Sequence, residues 1–207
     1  MRPAQPARTK RQSIIDAATQ AFLAHGYEGT TMELVASGSG AARRTVYNLF
    51  ESKEALFEAT VEGLWSTLQV PLVTGEEAAS RGARAGMQDL GMAIADFWTP
   101  AVTVAFMRMV IGEGSRFPDL PRRFFAAGKA TTLKAVADFF RQLEGRGLRK
   151  LADPALATRQ FLGLINEPLL WARVIGVESA PTKKQKLKVV TEAVDIFLAR
   201  YGENQGG

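Results

Sequence analysis

The chain has 207 residues, of which 46% are hydrophobic and 23% are charged, and its formal net charge is +5. This composition is that of a globular protein with one or two domains and a substantial apolar core. Cysteine is absent, which excludes disulfides and thiolate chemistry, and His25 is the only histidine, which nearly excludes a Ser-His-Asp triad or a histidine metal site. We therefore predict no catalytic residue, no metal site and no cofactor.

Positive charge is concentrated near the start of the chain. Residues 1–50 contain six basic and three acidic side chains, so 6 − 3 = +3 falls in this part. Such an excess suits a polyanionic partner. No apolar run approaches the roughly 18 residues that a membrane span needs, and the first residues lack the apolar core of a signal peptide. We expect a cytoplasmic protein with no membrane partner.

Helical periodicity dominates the sequence, and no alternating runs rich in valine and isoleucine predict strands. The predicted fold class is therefore all-α. Residues 71–86 are predicted to form a polar break dotted with glycine, and residues 1–9 and the final GENQGG are predicted to be frayed tails. The nine predicted helices cover residues 9–26, 30–37, 42–50, 51–69, 87–98, 100–117, 121–145, 154–176 and 183–201.

Several residues mark where these helices begin and end. Gly26 is a natural stop for the first helix. Thr30 or Thr31 is the predicted N-cap of the second helix, whose Leu34 and Val35 are expected to face inward. Pro168 should kink or break the helix that contains it. The predicted N-caps of later helices are Ser52 and Asp153.

The segment ASGSGAARRTVYNLF, residues 36–50, places two glycines ahead of two arginines and a hydrophobic run. A phosphate-binding loop would need a preceding strand and the pattern GxxxxGK[ST], and the pattern GxGxxG fails because Arg43 occupies the last glycine position. A helix-turn-helix unit instead needs a short helix, a turn with glycine, and a second helix that presents polar side chains from its first turn. The segment meets these conditions, with Gly40 expected in a left-handed conformation.

The second helix of this unit has two different faces. Val46 and Phe50 are expected to close a small core with the first helix, while the outer face carries polar side chains. Arginine can pair with guanine edges or phosphates, and asparagine can pair with adenine. The same pattern also fits an ordinary solvated helix face. The residues of the outer face are Arg43, Arg44, Thr45, Tyr47 and Asn48.

Residues 11–59 resemble the N-terminal DNA-binding domain of the TetR family of bacterial transcriptional regulators. The fragments that carry the resemblance are AA..F...GY..TT, VA...G and TVYNLFESKEAL. The later segment DPALATRQFLGLINEPLLWARVIG is similar to the C-terminal domain of the AefR-like and AcrR-like subgroup. The resemblance implies a helix-turn-helix DNA-binding domain at residues 1–51 and a ligand-binding and dimerisation domain at residues 52–207.

The resemblance also implies roles for individual residues. Two positions depart from the family pattern. Ala42 stands where most relatives have a serine that caps the recognition helix, which should cost about 1 kcal/mol of local stability, and Leu49 replaces a commonly aromatic residue. The implied phosphate contacts are Thr31, Tyr47 and Lys53, and the implied contacts to bases or the nearby backbone are Arg43, Arg44, Thr45 and Asn48.

Large apolar residues are concentrated after Trp65, and any helical core requires such residues. The resemblance implies that some of them line a pocket for a hydrophobic small-molecule effector, a role to which tryptophan and methionine are suited. Asn166 and Glu167 adjoin Pro168, so their alternative role is to satisfy backbone groups that the proline frees. The predicted pocket residues are Trp65, Trp98, Phe106, Met109, Asn166 and Trp171.

The leading hypothesis is a ligand-responsive repressor that binds a pseudo-palindromic operator in double-stranded DNA as a homodimer. The resemblance implies a dimer interface formed by the last two long helices and their symmetry mates. An alternative is a helical small-molecule-binding protein whose DNA reading is impaired. An enzyme would need a carboxylate pair such as Glu113 with Asp119, and these residues are more simply explained as solvated or capping groups.

Overall fold

The computed structural model describes residues 9–203, and within that range the chain is helical with no β-strand. The all-α prediction is confirmed. Two five-residue π-helical turns, Phe125–Lys129 and Glu167–Trp171, interrupt the α-helices. The α-helices are α1 (Lys10–Gly29), α2 (Met32–Ser39), α3 (Arg43–Leu49), α4 (Lys53–Ser66), α5 (Val70–Thr74), α6 (Glu76–Ser80), α7 (Gly82–Phe97), α8 (Ala101–Glu113), α9 (Asp119–Phe124), α10 (Ala130–Gln142), α11 (Pro154–Asn166), α12 (Ala172–Val174) and α13 (Lys183–Tyr201).

The described residues form two compact units. The N-terminal unit contains the chain up to Gly63 together with Arg108–Ala127, and the C-terminal unit contains Leu64–Met107 together with the chain from Gly128 onward. The predicted boundary between residues 51 and 52 does not coincide with this division, because the first part of α4 packs into the N-terminal core. As a division of function, residues 1–51 and 52–207 remain a prediction.

The core of the N-terminal unit joins α1, α2, α3 and the start of α4. Val46 and Phe50 are buried, as predicted. The Phe22 ring meets the Phe57 ring edge to face, with centroids 5.6 Å apart. Burial of large apolar side chains of this kind supplies about 1.5–3 kcal/mol each, so these aromatic rings anchor the helix-turn-helix against α4. Further buried residues of this core are Ile14, Ile15, Ala18, Val35 and Leu56.

Glycine and threonine fix the connections of this unit. Gly26 has φ +70°, so the regular part of α1 ends there, as predicted. The Thr31 hydroxyl accepts a hydrogen bond from the Leu34 amide at 3.1 Å and caps α2. Leu34 itself is 37% exposed, so the expectation that it faces inward is wrong. Since α2 begins at Met32, its inward face carries Met32 and Val35, and Leu34 lies to one side of that face.

The C-terminal unit is a bundle in which α7, α10, α11 and α13 pack together. Aromatic rings fill the space between α10, α11 and α13. The Phe140 and Phe197 ring centroids lie 5.0 Å apart, and those of Phe161 and Phe197 lie 5.4 Å apart. These three side chains are almost fully buried. This part of the aromatic content is therefore core packing, which was the simpler reading of the sequence.

Two predicted elements in the later part of the chain need correction. Residues 71–86 are not a loop, because α5, α6 and the start of α7 lie there. The helices α5 and α6 have only five residues each and are separated by glycine and polar residues, so the helical period could not be recognised in the sequence. The helix predicted over residues 121–145 is instead α9, the π turn Phe125–Lys129 and α10. Pro168 was predicted to kink or break its helix, and the α-helix is interrupted there: α11 ends at Asn166 and a π turn, Glu167–Trp171, contains the proline, which has no backbone N–H.

The last described residues are tied to the bundle. Gly202 donates its amide to the Leu198 carbonyl and forms an isolated bridge with Leu148, and the Glu203 amide donates to the Gly147 carbonyl at 3.2 Å. The prediction that the final residues are frayed is therefore wrong for these two. The prediction of a frayed tail is also wrong for Thr9, whose hydroxyl accepts the Gln12 amide at 3.2 Å and caps α1. Residues 1–8 and 204–207, the rest of the predicted tails, lie outside the described range.

Within residues 9–203, no single helix is both long and apolar enough to cross a membrane. The helices α7 and α8 reach that length and composition only as a bent pair.

Candidate nucleic-acid interface and interior cavity

The turn between α2 and α3 has the geometry that a helix-turn-helix requires. Gly40 adopts a left-handed conformation at φ +66° and ψ +11°, and its amide bonds the Ser37 carbonyl. A Cβ at this position would meet no neighbouring atom, so the backbone conformation is the reason for glycine. The next residues place Val46 in the core, which turns the opposite face of α3 outward.

The predicted polar face of α3 is largely open to solvent. Arg43, Arg44, Tyr47 and Asn48 are exposed and Thr45 is half-buried. The side chains of Arg44 and Asn48 form no hydrogen bond or ion pair with any other residue in the range 9–203. Their donors are therefore available to a base edge or a phosphate, as the sequence reading expected.

Glu33 on α2 holds two other residues of this face. Its carboxylate pairs with the Arg43 guanidinium and accepts a hydrogen bond from the Tyr47 hydroxyl at 3.0 Å. Its own backbone amide lowers the pKa of Glu33, and the bonds from Arg43 and Tyr47 lower it further. Glu33 was missed by the sequence reading, although its place in the first turn of α2, ten residues before Arg43, is the available signal. Arg43 and Tyr47 must leave this carboxylate, or share it, in order to contact DNA.

The two remaining predicted phosphate contacts have structural roles. Thr31 is exposed and caps α2. The Lys53 ammonium donates to the Tyr27 carbonyl at 2.8 Å and the Glu28 carbonyl at 3.3 Å, and it lies 4.5 Å from the centre of the Tyr27 ring. Lys53 thus ties the start of α4 to the end of α1. A phosphate contact by either residue remains a prediction.

The two departures from the family pattern are visible in α3. Ala42 occupies the N-cap position, and no side-chain hydrogen bond caps the helix. Leu49 is 43% exposed. The absence of a side-chain cap, which the sequence predicted, is therefore confirmed, and α3 still forms over Arg43–Leu49.

A polar and aromatic cluster around Tyr27 holds the end of α1. The Glu113 carboxylate accepts the Tyr27 amide at 2.8 Å and the Glu28 amide at 3.2 Å, two amides that the conformation of Gly26 leaves without helical partners. The Tyr27 hydroxyl donates to Glu54 at 3.0 Å, and its ring meets that of Phe117 at 5.3 Å. Burial raises the pKa of Tyr27, and Glu54 raises it further.

These contacts distinguish the two interpretations of Glu113 and Asp119, a catalytic carboxylate pair or solvated and capping groups. Glu113 caps backbone amides, whereas Asp119 pairs at the surface with Arg122 at 2.9 Å. Capping, the simpler explanation, therefore accounts for Glu113. Within residues 9–203, no group of three or more His, Asp or Glu side chains is placed to hold a metal ion.

We expect Glu113→Ala to lower the free energy of unfolding by about 1–3 kcal/mol, because two amides lose a charged acceptor. Asp119→Ala is the matched control, and loss of its exposed pair should change stability by less than about 0.5 kcal/mol. Urea denaturation followed by circular dichroism, at one protein concentration for all variants, measures the difference. Equal effects of the two substitutions would contradict the capping role.

A small cavity of about 30 Å³ lies inside the C-terminal unit. Three aromatic rings form one wall: the Trp65 and Phe97 centroids are 4.7 Å apart, and those of Phe97 and Trp98 are also 4.7 Å apart. Arg173, itself buried, donates to the Trp98 carbonyl and, at 3.0 Å, to the Thr99 carbonyl, which fixes this wall. The volume is far below the roughly 300–1,000 Å³ of ligand pockets, so a sizeable ligand requires the wall to move.

Three polar side chains line the same cavity, those of Lys129, Thr132 and Asn166, and the Thr132 hydroxyl donates to the Gly128 carbonyl at 3.5 Å. The Asn166 Oδ1 atom is buried and has no hydrogen-bond partner among the described residues. Burial lowers the pKa of Lys129, and the positive charge of Arg159 lowers it further. Lys129 was missed by the sequence reading, although a lone lysine after FFAAG is the signal that could have identified it.

The predicted pocket residues divide into two groups. Trp65, Trp98 and Asn166 line the cavity. The structure does not bring the other three to it, so their prediction as members of the same pocket is not supported. Phe106 is fully buried elsewhere, Met109 belongs to the N-terminal unit, and Trp171 is 50% exposed on the outside of its π turn.

Two protein families match this chain, one over the helix-turn-helix region and one over most of the later helices. The family of bacterial regulatory proteins of the tetR type matches residues 14–60, and the C-terminal domain of AefR-like transcriptional repressors matches residues 85–203. A helix-turn-helix with an open basic recognition face, joined to a helical C-terminal domain, defines a DNA-binding transcriptional regulator. The chain belongs to the TetR family of these regulators, which are not enzymes.

Individual relatives agree with this assignment. The chain is 35% identical over 70 residues to the HTH-type transcriptional repressor DhaR of Mycobacterium sp. strain GP1, covering 34% of this chain and 35% of the relative. A TetR-family regulator from Mesorhizobium loti has a TM-score of 0.78 and 29% identity over 94% of this chain and 97% of its own. The flavonoid-responsive regulator FrrA has a TM-score of 0.77 and 28% identity, covering 94% and 98%. The chain thus spans about a third of DhaR but nearly the whole of the two solved structures.

Proposed function

We propose that this regulator is a homodimeric repressor that binds a pseudo-palindromic operator through α3 and is released by a small-molecule effector. The observation that carries the proposal is the exposed face of α3, where Arg44 and Asn48 have no partner in residues 9–203. Arginine and asparagine provide the commonest bidentate contacts to guanine and adenine. Arg43 and Tyr47 lie on the same face and are bound to the Glu33 carboxylate.

Homodimerisation is supported by an apolar groove between α11 and α13. The groove has a volume of about 690 Å³, and Leu164, Pro168 and Ile196 contribute to it. Ile196 is 53% exposed and Leu187 on the same helix is 50% exposed. A second copy would cover this surface by twofold symmetry, and dimers of helix-turn-helix proteins present two recognition helices about 34 Å apart to successive major grooves.

Release by an effector is supported by the cavity in the C-terminal unit. Trp65 lines the cavity and lies near the end of α4, the helix that begins with Lys53 directly after the recognition helix. A ligand that displaces Trp65 would move α4 and change the spacing of the two recognition helices. DNA and effector would then weaken each other by the same factor. The flavonoid-responsive relative, 28% identical, adds support for a small-molecule effector.

The proposal is tested with fragments of the source genome. Purified protein is used to select bound fragments, and fluorescence anisotropy then compares the best fragment with a scrambled one at moderate salt. We expect at least a thousandfold preference, within the range of specific DNA-binding proteins. Binding with no preference would contradict the proposal and would favour a small-molecule-binding protein with impaired DNA reading.

A further inference from the structure

The interior cavity of the C-terminal unit carries information about the chemistry of its ligand. Three of its lining residues are polar, and two of these, Lys129 and Asn166, lie at the edges of π-helical turns. Lys129 ends the turn Phe125–Lys129, and Asn166 directly precedes the turn Glu167–Trp171. Turns of this kind are rare and frequently found at functional sites. The two interruptions of the helical pattern therefore converge on the same cavity.

The Lys129 ammonium lacks a negative partner. Within residues 9–203, no carboxylate forms an ion pair with it, and after burial the charge that lowers its pKa is the positive one of Arg159. A half-buried cation beside a second cation is costly in an apolar setting unless an anion joins it. The missing component is therefore an anionic group.

The side-chain oxygen of Asn166 accepts no hydrogen bond from the described residues. Its Oδ1 atom is buried at the cavity without a hydrogen bond from residues 9–203. A buried carbonyl oxygen left unpaired costs about 1–3 kcal/mol. The second missing component is an O–H or N–H group.

The remaining wall is aromatic. Trp65, Phe97 and Trp98 stack or meet edge to face, and the Trp65 indole packs so closely on Gly128 that a Cβ there would overlap it. Such walls favour flat, unsaturated ligands, because the rings offer both apolar area and preferred stacking geometry. Gly128 is the residue before Lys129, and Lys129 lines the same cavity as the three rings.

We propose that the effector is a flat aromatic acid that also carries a hydrogen-bond donor, with Lys129 binding its carboxylate or other acidic oxygen and Asn166 accepting from its hydroxyl. This assignment rests on the proposed effector site and names the class of molecule that fits it. Trp65 and Trp98 enclose the ring system. The cavity opens to admit the ligand, as pockets that are closed in the dominant state do when a ligand selects a minor one.

The experiment compares three probes by isothermal titration calorimetry on the full chain at neutral pH: 6-hydroxy-2-naphthoate, its methyl ester, and 2-naphthoate. We expect the hydroxy acid to bind at least tenfold more tightly than the ester, which lacks the charge, and more tightly than 2-naphthoate, which lacks the donor. Lys129→Met should remove the preference for the acid over the ester. Asn166→Leu should remove the preference for the hydroxyl while keeping the preference for the acid.

Lys134→Met is the matched control, because Lys134 lies in α10 close to Lys129 in the chain but is exposed and paired with Asp138. It should keep both preferences. Equal or tighter binding of the ester by the unmodified chain, an acid preference that survives Lys129→Met, or no binding of any probe would overturn the assignment. No DNA is present in these titrations, so a failure here with operator binding intact rejects only the ligand class, whereas loss of specific DNA binding rejects the proposed function.

Discussion

Arg44→Ala should weaken binding to the selected operator by at least about tenfold. Arg44 is an exposed cation on the first turn of α3, and its side chain has no hydrogen-bond or ion-pair partner in residues 9–203. All of its N–H donors are therefore available to DNA. A bidentate arginine contact to a base is worth about 1–3 kcal/mol, and the proposed homodimer would contain two such residues. Fluorescence anisotropy on the operator and on a scrambled fragment, over a series of salt concentrations, measures the loss.

The salt series separates two roles of this arginine. A base contact predicts that the preference for operator over scrambled DNA falls, whereas a phosphate contact predicts uniform weakening and a shallower salt dependence. Arg122→Ala removes the same charge from an exposed position on α9, where Arg122 pairs with Asp119. Equal effects of the two substitutions would mean that only net charge matters and would contradict the recognition role of α3.

Ile196→Asp should convert the protein from a dimer to a monomer and reduce operator affinity by more than about a hundredfold. Ile196 is 53% exposed in the groove between α11 and α13. Covering an aspartate with a second copy would bury a charge without a partner, a cost of several kcal/mol that occurs twice in a symmetric interface. A monomer contacts only one half-site. Light scattering after gel filtration gives the mass, and anisotropy gives the affinity.

Leu72→Asp is the control for this substitution. Leu72 is 70% exposed on α5, outside the proposed interface, so the same chemical change there should leave both mass and affinity unaltered. A chain that has monomer mass before any substitution would contradict the homodimer outright. A dimer that tolerates Ile196→Asp would place the interface on another surface.

Much of the helix-turn-helix could be read from local signals. Thr31 caps α2, Gly40 takes the left-handed conformation, and Val46 enters the core, because each depends on neighbours within a few residues. Leu34 was predicted to face inward together with Val35, and only Val35 is buried. Which side of α2 is covered depends on how α1 and α3 pack against it, and the sequence of α2 alone does not show that packing.

The C-terminal unit was harder to read. Asp153 caps α11 and Pro168 interrupts its α-helix, and both could be predicted because each residue acts on its own helix. The pocket residues were chosen by type, and type does not distinguish Trp65, which lines the cavity, from Trp171, which is half exposed. Trp65 lies on α4 and packs against Gly128, whereas Trp171 lies on the exposed side of a π turn, and π turns leave little periodic trace in a sequence.

The sequence by itself determined the helical class, the position of the DNA-reading motif and the polar residues of its outer face, since these follow from periodicity, caps and glycine over short separations. Only the tertiary structure decided which of those residues are engaged and which are open. Glu33 pairs with Arg43 across the turn between α2 and α3. Glu113 accepts the amide of Tyr27, which is 86 residues away in the chain. Lys129, at the end of a π turn, lines the same cavity as Trp65 of α4. Contacts between distant segments depend on how the helices pack, and that packing is a property of the whole chain.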